Sequence, residues 1–382
     1  MGPSADQLLH RQRRLLDELD RFGLDALLLN AGPSLTYLTG LDVHLNERPV
    51  AAIFRPDGVP TLVVPSLELG RLEKLAFEAR THSYGEDPSS WARTFRHASD
   101  EARLDYRRIG VEPQRFRVLE LRLFEAAAPR AAYLDGGEVL SALRRCKDAG
   151  EIACIREAVR VAEGALRRTM ATVRPGITET ALASALTAQL LIGGSAAALP
   201  FSPIVAFGAS TADPHAVPSH RALEANDLIL IDWGANVGGY FSDLTRMFSY
   251  GPPAGELLEI VELAAAANDA ARKAAAPGVR AADVDEAARA VIEQAGYGPR
   301  FIHRTGHGLG LETHEEPYIR SGNGESLESG MAFTIEPGIY LPGIGGARIE
   351  DDIVITSEGH EALSSLGRGL VDLTHMDVSS KK

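Results

Sequence analysis

The chain has 382 residues, 45% of them hydrophobic, which is long enough for two domains that each bury a core. Its formal net charge of −13 at pH 7 argues against a nucleic-acid partner, because nucleic acids are bound through basic surfaces. No apolar run approaches the roughly 18 residues of a membrane-spanning helix and the first residues are too polar for a secretory signal, so we expect no membrane partner and a cytoplasmic location.

Helix-period and strand-like segments alternate through roughly the first 135 residues. An apolar stripe predicts a helix near the start of the chain, with the basic cluster 11–14 on its solvated face; the stripe consists of Leu8, Leu15, Leu19 and Phe22. Apolar runs at 25–29 and 61–64 predict strands. This alternation predicts an α/β domain over residues 1–136.

A long helical pattern opens the second domain, which we place at residues 137–382. Its apolar positions recur at steps of three and four and predict one buried helix face, made of Ile152, Ile155, Val159, Ala162 and Leu166. The polar segment 376–382 is predicted to fray.

Two carboxylates flank a predicted β-hairpin in the second domain. Asp232 ends the apolar run 228–231 and Asp243 follows the turn-like segment 236–239, so the two aspartates are predicted to face each other across the ladder. Directly opposed residues have Cβ atoms about 4.5–5.5 Å apart. Two bare carboxylates at that distance repel unless a proton or a cation lies between them.

A second hairpin repeats this arrangement. Glu336 and Glu350 lie in strand-like segments on either side of the turn 342–346, and His307 lies in the glycine-rich segment 306–310. Each residue taken alone is better explained as a solvated hairpin acid or a turn histidine. The five together favour a site for two metal ions about 3.5–4 Å apart, which is suited to hydrolysis.

Four carboxylates and one imidazole form an oxygen-rich set of ligands, and no cysteine stands near them. Such a set favours manganese over metals that prefer thiolates. Cobalt, zinc and iron are the alternatives. We therefore expect two divalent ions, with manganese preferred.

Five segments resemble, in the same order, the metal-ligand motifs of the creatinase/aminopeptidase P/prolidase family: 231–235, 240–246, 305–310, 334–338 and 348–351. The segment 37–40 resembles the N-terminal domain of that family more loosely. The resemblance implies an α/β (α+β) fold class, with a small N-terminal α/β domain followed by a catalytic domain of the pita-bread fold.

Carried over residue by residue, the resemblance gives each predicted ligand a place. Asp232 binds one metal, and His307 and Glu336 bind the other. Asp243 and Glu350 bridge the two ions. The resemblance also implies a homodimer.

The same resemblance implies roles in catalysis and substrate binding. His215 stabilises the tetrahedral intermediate and His314 contacts the substrate, although either histidine read alone is as well explained as a surface loop residue. Glu336 is our candidate for carrying a proton to the leaving proline nitrogen. Arg348, two residues before Glu350, is placed to orient a carboxylate ligand or to bind substrate.

The expected activity is metal-dependent hydrolysis of Xaa-Pro peptide bonds by a hydroxide that bridges the metals, with dipeptides as the favoured substrates. Substrate length stays open, because Tyr318 stands where some prolidases of the family have an arginine for the dipeptide carboxylate, and Arg320 lies two positions on. The main alternative is an aminopeptidase P that acts on longer Xaa-Pro peptides. A creatinase-like amidinohydrolase and a non-catalytic binding module of the same fold are more distant alternatives.

Overall fold

The computed structural model of the protein describes residues 3–56 and 58–375. Two compact units divide the chain, at residues 1–144 and 145–382. The segment 376–382, for which fraying is predicted, lies outside the described residues. None of the helices in the described ranges is both long and apolar enough to cross a membrane.

The first unit combines helices with one mixed sheet. Its described helices are α1 (Ala5–Phe22), α2 (Pro33–Thr39), α3 (Leu69–Leu72), α4 (Trp91–Glu101), α5 (Val118–Ala127) and α6 (Gly137–Arg144). Its described strands are β1 (Ala26–Asn30), β2 (Ala51–Phe54), β3 (Thr61–Pro65), β4 (Arg80–Tyr84), β5 (Arg108–Val111) and β6 (Ala132–Asp135). They are ordered β4-β3-β2-β1-β5-β6, and every residue of β1, β2 and β3 is buried.

Helix α1 begins at a capping box and buries most of the predicted stripe. The Ser4 side chain accepts a hydrogen bond from the backbone N–H of Gln7, and the Gln7 side-chain oxygen accepts one from the backbone N–H of Ser4. The prediction that cluster 11–14 is solvated is wrong for Arg11, which is 5% exposed. Its guanidinium lies 4.1 Å from the centre of the Tyr37 ring and donates to the Tyr37 carbonyl, so a cation–π contact and a hydrogen bond compensate its burial.

Helix α6 belongs to the first unit, although it follows the boundary drawn from the sequence. An Arg14 guanidinium nitrogen in α1 donates to the carbonyl of Ala142 in α6 at 3.2 Å. The hydroxyl of Tyr37 donates to the carbonyl of Leu143 at 3.0 Å. The first unit therefore extends through this helix.

The second unit opens with two long helices and contains a second helix pair further on. These are α7 (Ala149–Met170), α8 (Glu179–Ile192), α9 (Gly255–Ala274) and α10 (Ala281–Gln294). A capping box between Asp148 and Glu151 begins α7. The predicted helix with a buried face is confirmed, since α7 spans all its positions and buries Ile155, Val159 and Leu166.

The strands of the second unit form two main sheets and two short hairpins. They are β7 (Ile204–Phe207), β8 (Leu228–Trp233), β9 (Asn236–Val237), β10 (Tyr240–Phe241), β11 (Leu244–Ser249), β12 (Gly306–Gly308), β13 (Glu315–Ile319), β14 (Ala332–Ile335), β15 (Gly338–Leu341), β16 (Gly345–Arg348), β17 (Asp351–Ile355), β18 (His360–Ala362) and β19 (Val371–Asp372). One sheet has the order β19-β11-β8-β7 and the other β13-β12-β14-β17-β18, while β9 pairs with β10 and β15 with β16.

The two helix pairs cover opposite faces of these strands. Alternate strand residues point to opposite faces, and in β8 Leu228 and Leu230 pack with α9 and α10, whereas Ile229 and Ile231 pack with α7 and α8. Strands buried on both faces explain the continuous apolar run before Asp232. The acids at the strand ends are therefore carried by a layer that is covered on both sides.

Candidate metal centre

The first predicted carboxylate pair lies at the hairpin of β8 and β11. Thr245, rather than Asp243, is paired directly with Asp232. Asp243 lies two residues before Thr245 and so is a diagonal neighbour of Asp232 on the same face. The prediction of direct opposition is wrong, because β8 and β11 stay in one register up to the turn and that register sets Asp243 across from Gly234.

The second carboxylate pair is directly opposed. Ile335 pairs with Asp351 at the end of one ladder, and Gly338 pairs with Arg348 at the start of the next. The pairing continues from one ladder to the next without a shift, so Glu336 lies opposite Glu350. The strands β14–β15 and β16–β17 thus form one long ribbon with the two glutamates in its middle.

The glycines around His307 allow strand β12 to pass very close to its neighbours. A Cβ atom on Gly306 would lie 1.8 Å from the carbonyl oxygen of Thr334, and one on Gly308 would lie 2.3 Å from that of Glu316. Strand β12 pairs with β13 on one side and β14 on the other. The glycines therefore serve close strand packing, which brings the His307 ring to the end of β14, beside Glu336.

Hydrogen bonds between Thr245 and Glu350 help to join the two sheets at the site. The backbone of Glu350 donates to the Thr245 carbonyl at 3.2 Å, and the Thr245 hydroxyl donates to Glu350 Oε2 at 2.7 Å. This contact brings the acids of one sheet next to those of the other. Ligand atoms of Asp243, His307 and Glu350 lie within 4.8 Å of one another.

The remaining two acids flank this group. His307 Nε2 lies 3.5 Å from Glu336 Oε1 and 3.7 Å from Asp243 Oδ2. All five predicted ligands line one cavity of about 900 Å³, which His215, His314 and Arg348 line as well. The structure therefore brings together every residue for which the sequence predicts a place in the site.

Burial and mutual repulsion shift the pKa values of these acids upwards. Burial, followed by the charges of Glu350 and Asp232, raises the pKa of Asp243 well above its usual range. Burial, followed by the charges of Glu336 and Asp232, does the same for Glu350. Burial is also the main cause that raises the pKa of Glu336 from its ordinary 4.5 to about 7. Without a cation, this cluster retains protons.

The imidazole of His307 is shifted in the opposite sense. Burial, followed by the charge of His314, lowers its pKa well below the usual range. It is therefore neutral at pH 7, the form that binds metal ions. Its Nδ1 lies 3.2 Å from the carbonyl of Gly308, which leaves Nε2 directed at the acids.

These features fit divalent cations. Asp232 Oδ1 is buried and has no hydrogen-bond partner in the described part of the chain. A buried carboxylate oxygen without a partner is costly unless an ion binds it. Four acids that repel one another and one neutral imidazole supply the oxygen-rich environment expected for such ions.

Arg348 makes four hydrogen bonds within the protein. Its Nη2 donates to Asp232 Oδ2 at 2.6 Å, its Nε to Thr245 Oγ1 at 3.1 Å, and its Nη1 to the Tyr340 hydroxyl at 2.8 Å and the Pro214 carbonyl at 3.2 Å. Of the two predicted roles, these contacts support the orienting of a carboxylate. Substrate binding by Arg348 stays a prediction.

The two catalytic histidine candidates are exposed and line the cavity. The backbone of His215 donates to Asp213 Oδ1 at 3.0 Å, which fixes the turn that carries it. The His314 ring lies edge to face with the His307 ring, with 4.2 Å between centroids. Both imidazoles are thus accessible to a ligand beside the acids, and their roles stay predictions.

Sequence reasoning missed Thr245, Tyr340 and His303 as supporting residues. His303 Nδ1 lies 2.7 Å from the Arg304 carbonyl and so carries the proton, and its Nε2 accepts from the Tyr340 hydroxyl at 2.9 Å. This fixes Tyr340 as it accepts from Arg348. One signal was available, because Tyr340 lies four residues after Glu336 along the ribbon, where the period of two puts both on the same face.

The structure predicts that metal binding stabilises the protein more as the pH rises above about 6.5. A carboxyl group with a raised pKa holds its proton in the folded state after the unfolded chain has released it, so the metal-free protein loses stability as pH rises through the folded pKa of Glu336, about 7. The pKa of His303 is lowered to about 4, so below pH 6.5 this histidine makes stability increase as the pH rises. The test is therefore made at pH 6.5 and above.

Thermal unfolding with and without Mn²⁺ at pH 6.5 and 8.5 measures this effect. We expect the metal-free midpoint to be lower at pH 8.5 and the metal-induced increase to be larger there. A metal-induced increase that is the same at both pH values would contradict the account of the acid cluster.

Comparison with known families identifies the chain. Residues 153–357 match metallopeptidase family M24, and residues 11–146 match the creatinase/prolidase N-terminal domain. The chain belongs to metallopeptidase family M24. This confirms the predicted family and the predicted fold class, and membership of M24 implies that the centre holds divalent metal ions.

Relatives in family M24 are similar over nearly their whole length. An Xaa-Pro dipeptidase from Lactobacillus delbrueckii subsp. lactis is 33% identical over 358 residues, which cover 94% of this chain and 97% of the relative. The solved dipeptidase PepE from Mycobacterium ulcerans has a TM-score of 0.90 at 33% identity and covers 98% of this chain and 100% of its own. A solved X-Pro aminopeptidase from Thermotoga maritima has a TM-score of 0.82 at 30% identity, with 94% and 99% covered.

Proposed function

We propose that this M24 metallopeptidase hydrolyses Xaa-Pro peptide bonds, with Xaa-Pro dipeptides as its preferred substrates. The observation that carries the proposal is the convergence of four acids, three of them buried and Glu336 partly buried, with His307 in a cavity that His215 and His314 also line. The dipeptidase names of similar relatives support the choice of substrate. A homodimer and a cytoplasmic location stay predictions.

The proposed centre holds two divalent ions, with manganese preferred. Asp232 would hold one ion, His307 and Glu336 the other, and Asp243 and Glu350 both. When bound, such a pair supplies a nucleophile from water at neutral pH and polarises the scissile carbonyl.

The protein's own groups complete the proposed mechanism. Arg348 and Thr245 hold carboxylates of the two sheets in place, so the ligands need little rearrangement. His215 donates to the oxygen that gains negative charge, and His314 contacts the substrate. Glu336 moves a proton to the proline nitrogen as the bond breaks.

Cleavage of Ala-Pro and of Ala-Pro-Ala by metal-stripped enzyme, with and without Mn²⁺, tests the proposal. Metal-dependent cleavage of the dipeptide in preference to the tripeptide is the expected result. Cleavage of neither peptide by enzyme shown to hold two metals would reject the Xaa-Pro specificity. A chain that folds but holds no metal would instead be a binding module.

Activity on longer peptides is the second candidate function, because Tyr318 occupies the place where some prolidases have an arginine. Preference for the tripeptide in the same assay would favour an aminopeptidase P. The X-Pro aminopeptidase among the solved structures shows that this fold also occurs under that name.

Replacing Glu336 by glutamine tests the proton transfer. An amide oxygen can still bind a metal but cannot carry the proton, so we expect two bound metals, a KM near that of the wild type and a kcat reduced about 10²-fold or more. Metal analysis and steady-state kinetics check this. Full turnover with both metals in place would remove Glu336 from the proton transfer.

A further inference from the structure

One of the arginines that line the cavity makes no hydrogen bond through its guanidinium to the described part of the chain. Two arginines, Arg304 and Arg348, line the cavity. The guanidinium of Arg348 is committed to Asp232, Thr245 and Tyr340. Over residues 3–56 and 58–375, the Arg304 guanidinium makes no hydrogen bond and no ion pair, and it lies over the Tyr318 ring.

That contact holds the Arg304 guanidinium over the Tyr318 ring. Its central carbon lies 4.6 Å from the centre of the Tyr318 ring, the distance of a cation–π contact. A cation–π contact uses none of the guanidinium N–H donors as hydrogen bonds, so they remain available to a ligand. Tyr318 thus acts as a platform for a cation three residues before His307.

The backbone on both sides of Arg304 is held in place. The carbonyl of Arg304 accepts from His303 Nδ1 at 2.7 Å, and the next residue, Thr305, donates its backbone N–H to Ile319 at 2.9 Å and its hydroxyl to Asp285 at 2.7 Å. These hydrogen bonds fix the backbone that carries the Arg304 side chain. Arg304 lines the same cavity as His314, the candidate for contact with the substrate.

An unpaired guanidinium favours a planar anion with two oxygens, since its fork forms two parallel charge-assisted hydrogen bonds with a carboxylate. In a dipeptide the free carboxylate begins two bonds from the leaving nitrogen, a distance of about 2.5 Å. A peptide with further residues has a neutral amide there. Arg304 lines the same cavity as the predicted metal ligands. A dipeptide bound there would present a negative charge next to the scissile bond, whereas a longer peptide would not.

We propose that Arg304, whose guanidinium lies over the Tyr318 ring, binds the free α-carboxylate of the residue that follows the scissile bond and thereby selects dipeptides. This inference rests on the proposed function, for which it names a residue that determines specificity. Arg320 is the matched control, because it is exposed, does not line the cavity and donates to the neighbouring carbonyl of Ser321.

The test compares wild type, Arg304→Met, Arg304→Lys and Arg320→Met on Ala-Pro and on its amide, Ala-Pro-NH₂. For Arg304→Met we expect KM for Ala-Pro to rise roughly 10- to 100-fold while kcat/KM for the amide changes less than about threefold, as loss of a charge-assisted bond pair predicts. Arg304→Lys, which retains charge without the fork, is expected to lie between. Arg320→Met should behave as wild type.

Calorimetry of metal-loaded enzyme with L-proline and L-prolinamide gives a measurement that does not depend on turnover. Wild type should bind proline more tightly, and Arg304→Met should abolish that preference with its metal content and melting temperature unchanged. If no peptide is cleaved but the preference is present and lost in Arg304→Met, the proposed function fails and the carboxylate site stands. Equal effects on acid and amide, or no effect on either, would overturn the role of Arg304.

Discussion

Asp243→Asn is expected to lower kcat/KM for an Xaa-Pro dipeptide by about 10³-fold or more, because a centre of this type contributes several kcal/mol to lowering the barrier. Asp243 is the acid whose ligand atoms lie close to both His307 and Glu350. Loss of its charge weakens the binding of both ions. Metal analysis should show fewer than two ions per chain, and steady-state kinetics should show the loss of activity.

The same substitution has a second expected effect, which distinguishes a ligand from a merely structural acid. The charges of Glu350 and Asp232 repel Asp243 in the metal-free protein. An amide at this position cannot ionise and so cannot be repelled by those charges, and the metal-free melting temperature at pH 8 should therefore be unchanged or higher. Glu358→Gln, an exposed acid in the turn after β17, is the control and should retain both metals. Two metals and full activity in Asp243→Asn would contradict the proposed centre.

His215→Ala is expected to reduce kcat by about 10²- to 10³-fold, the usual cost of removing one donor to a developing oxyanion. His215 is exposed in the cavity and is not a predicted ligand, so metal content and KM should change little. A loss confined to kcat marks an interaction made in the transition state.

His220→Ala is the matched control for this change. His220 lies five residues further along the same loop, is exposed and does not line the cavity. Its substitution should leave kcat unchanged. A His215→Ala enzyme with wild-type kcat, or one that loses its metals, would show that His215 is not an oxyanion donor.

The four acids predicted as ligands stood out because each lies in or beside a strand of a predicted hairpin. The second pair was predicted in its correct opposition, since a continuous ribbon fixes Glu336 across from Glu350. The first pair was misplaced across the ladder. The apolar residues of the two strands do not show whether Asp243 or Thr245 is paired with Asp232. The length of the turn determines this register.

Long-range contacts were not predictable from the sequence. Thr245 and Glu350 belong to two different sheets and are far apart in the chain, so no local sequence pattern predicts the contact between them. Arg11 shows the same limit, because its place in a basic cluster indicates a solvated face while its partner, Tyr37, belongs to another element. Local periodicity predicts which residues face inwards but not which partners they meet.

The position of the two glutamates in the middle of a ribbon has a consequence for insertions and deletions. The turn between β15 and β16 lies beyond the site, and there Ile344 is half exposed and Gly343 has φ 76°. Residues added in that turn leave the pairing of Glu336 with Glu350 intact. One residue added between Glu336 and Tyr340 would reverse the face of every side chain that follows in the strand, and would separate Tyr340 from Arg348. The length of the chain can therefore vary at the tip of this ribbon but not near its middle.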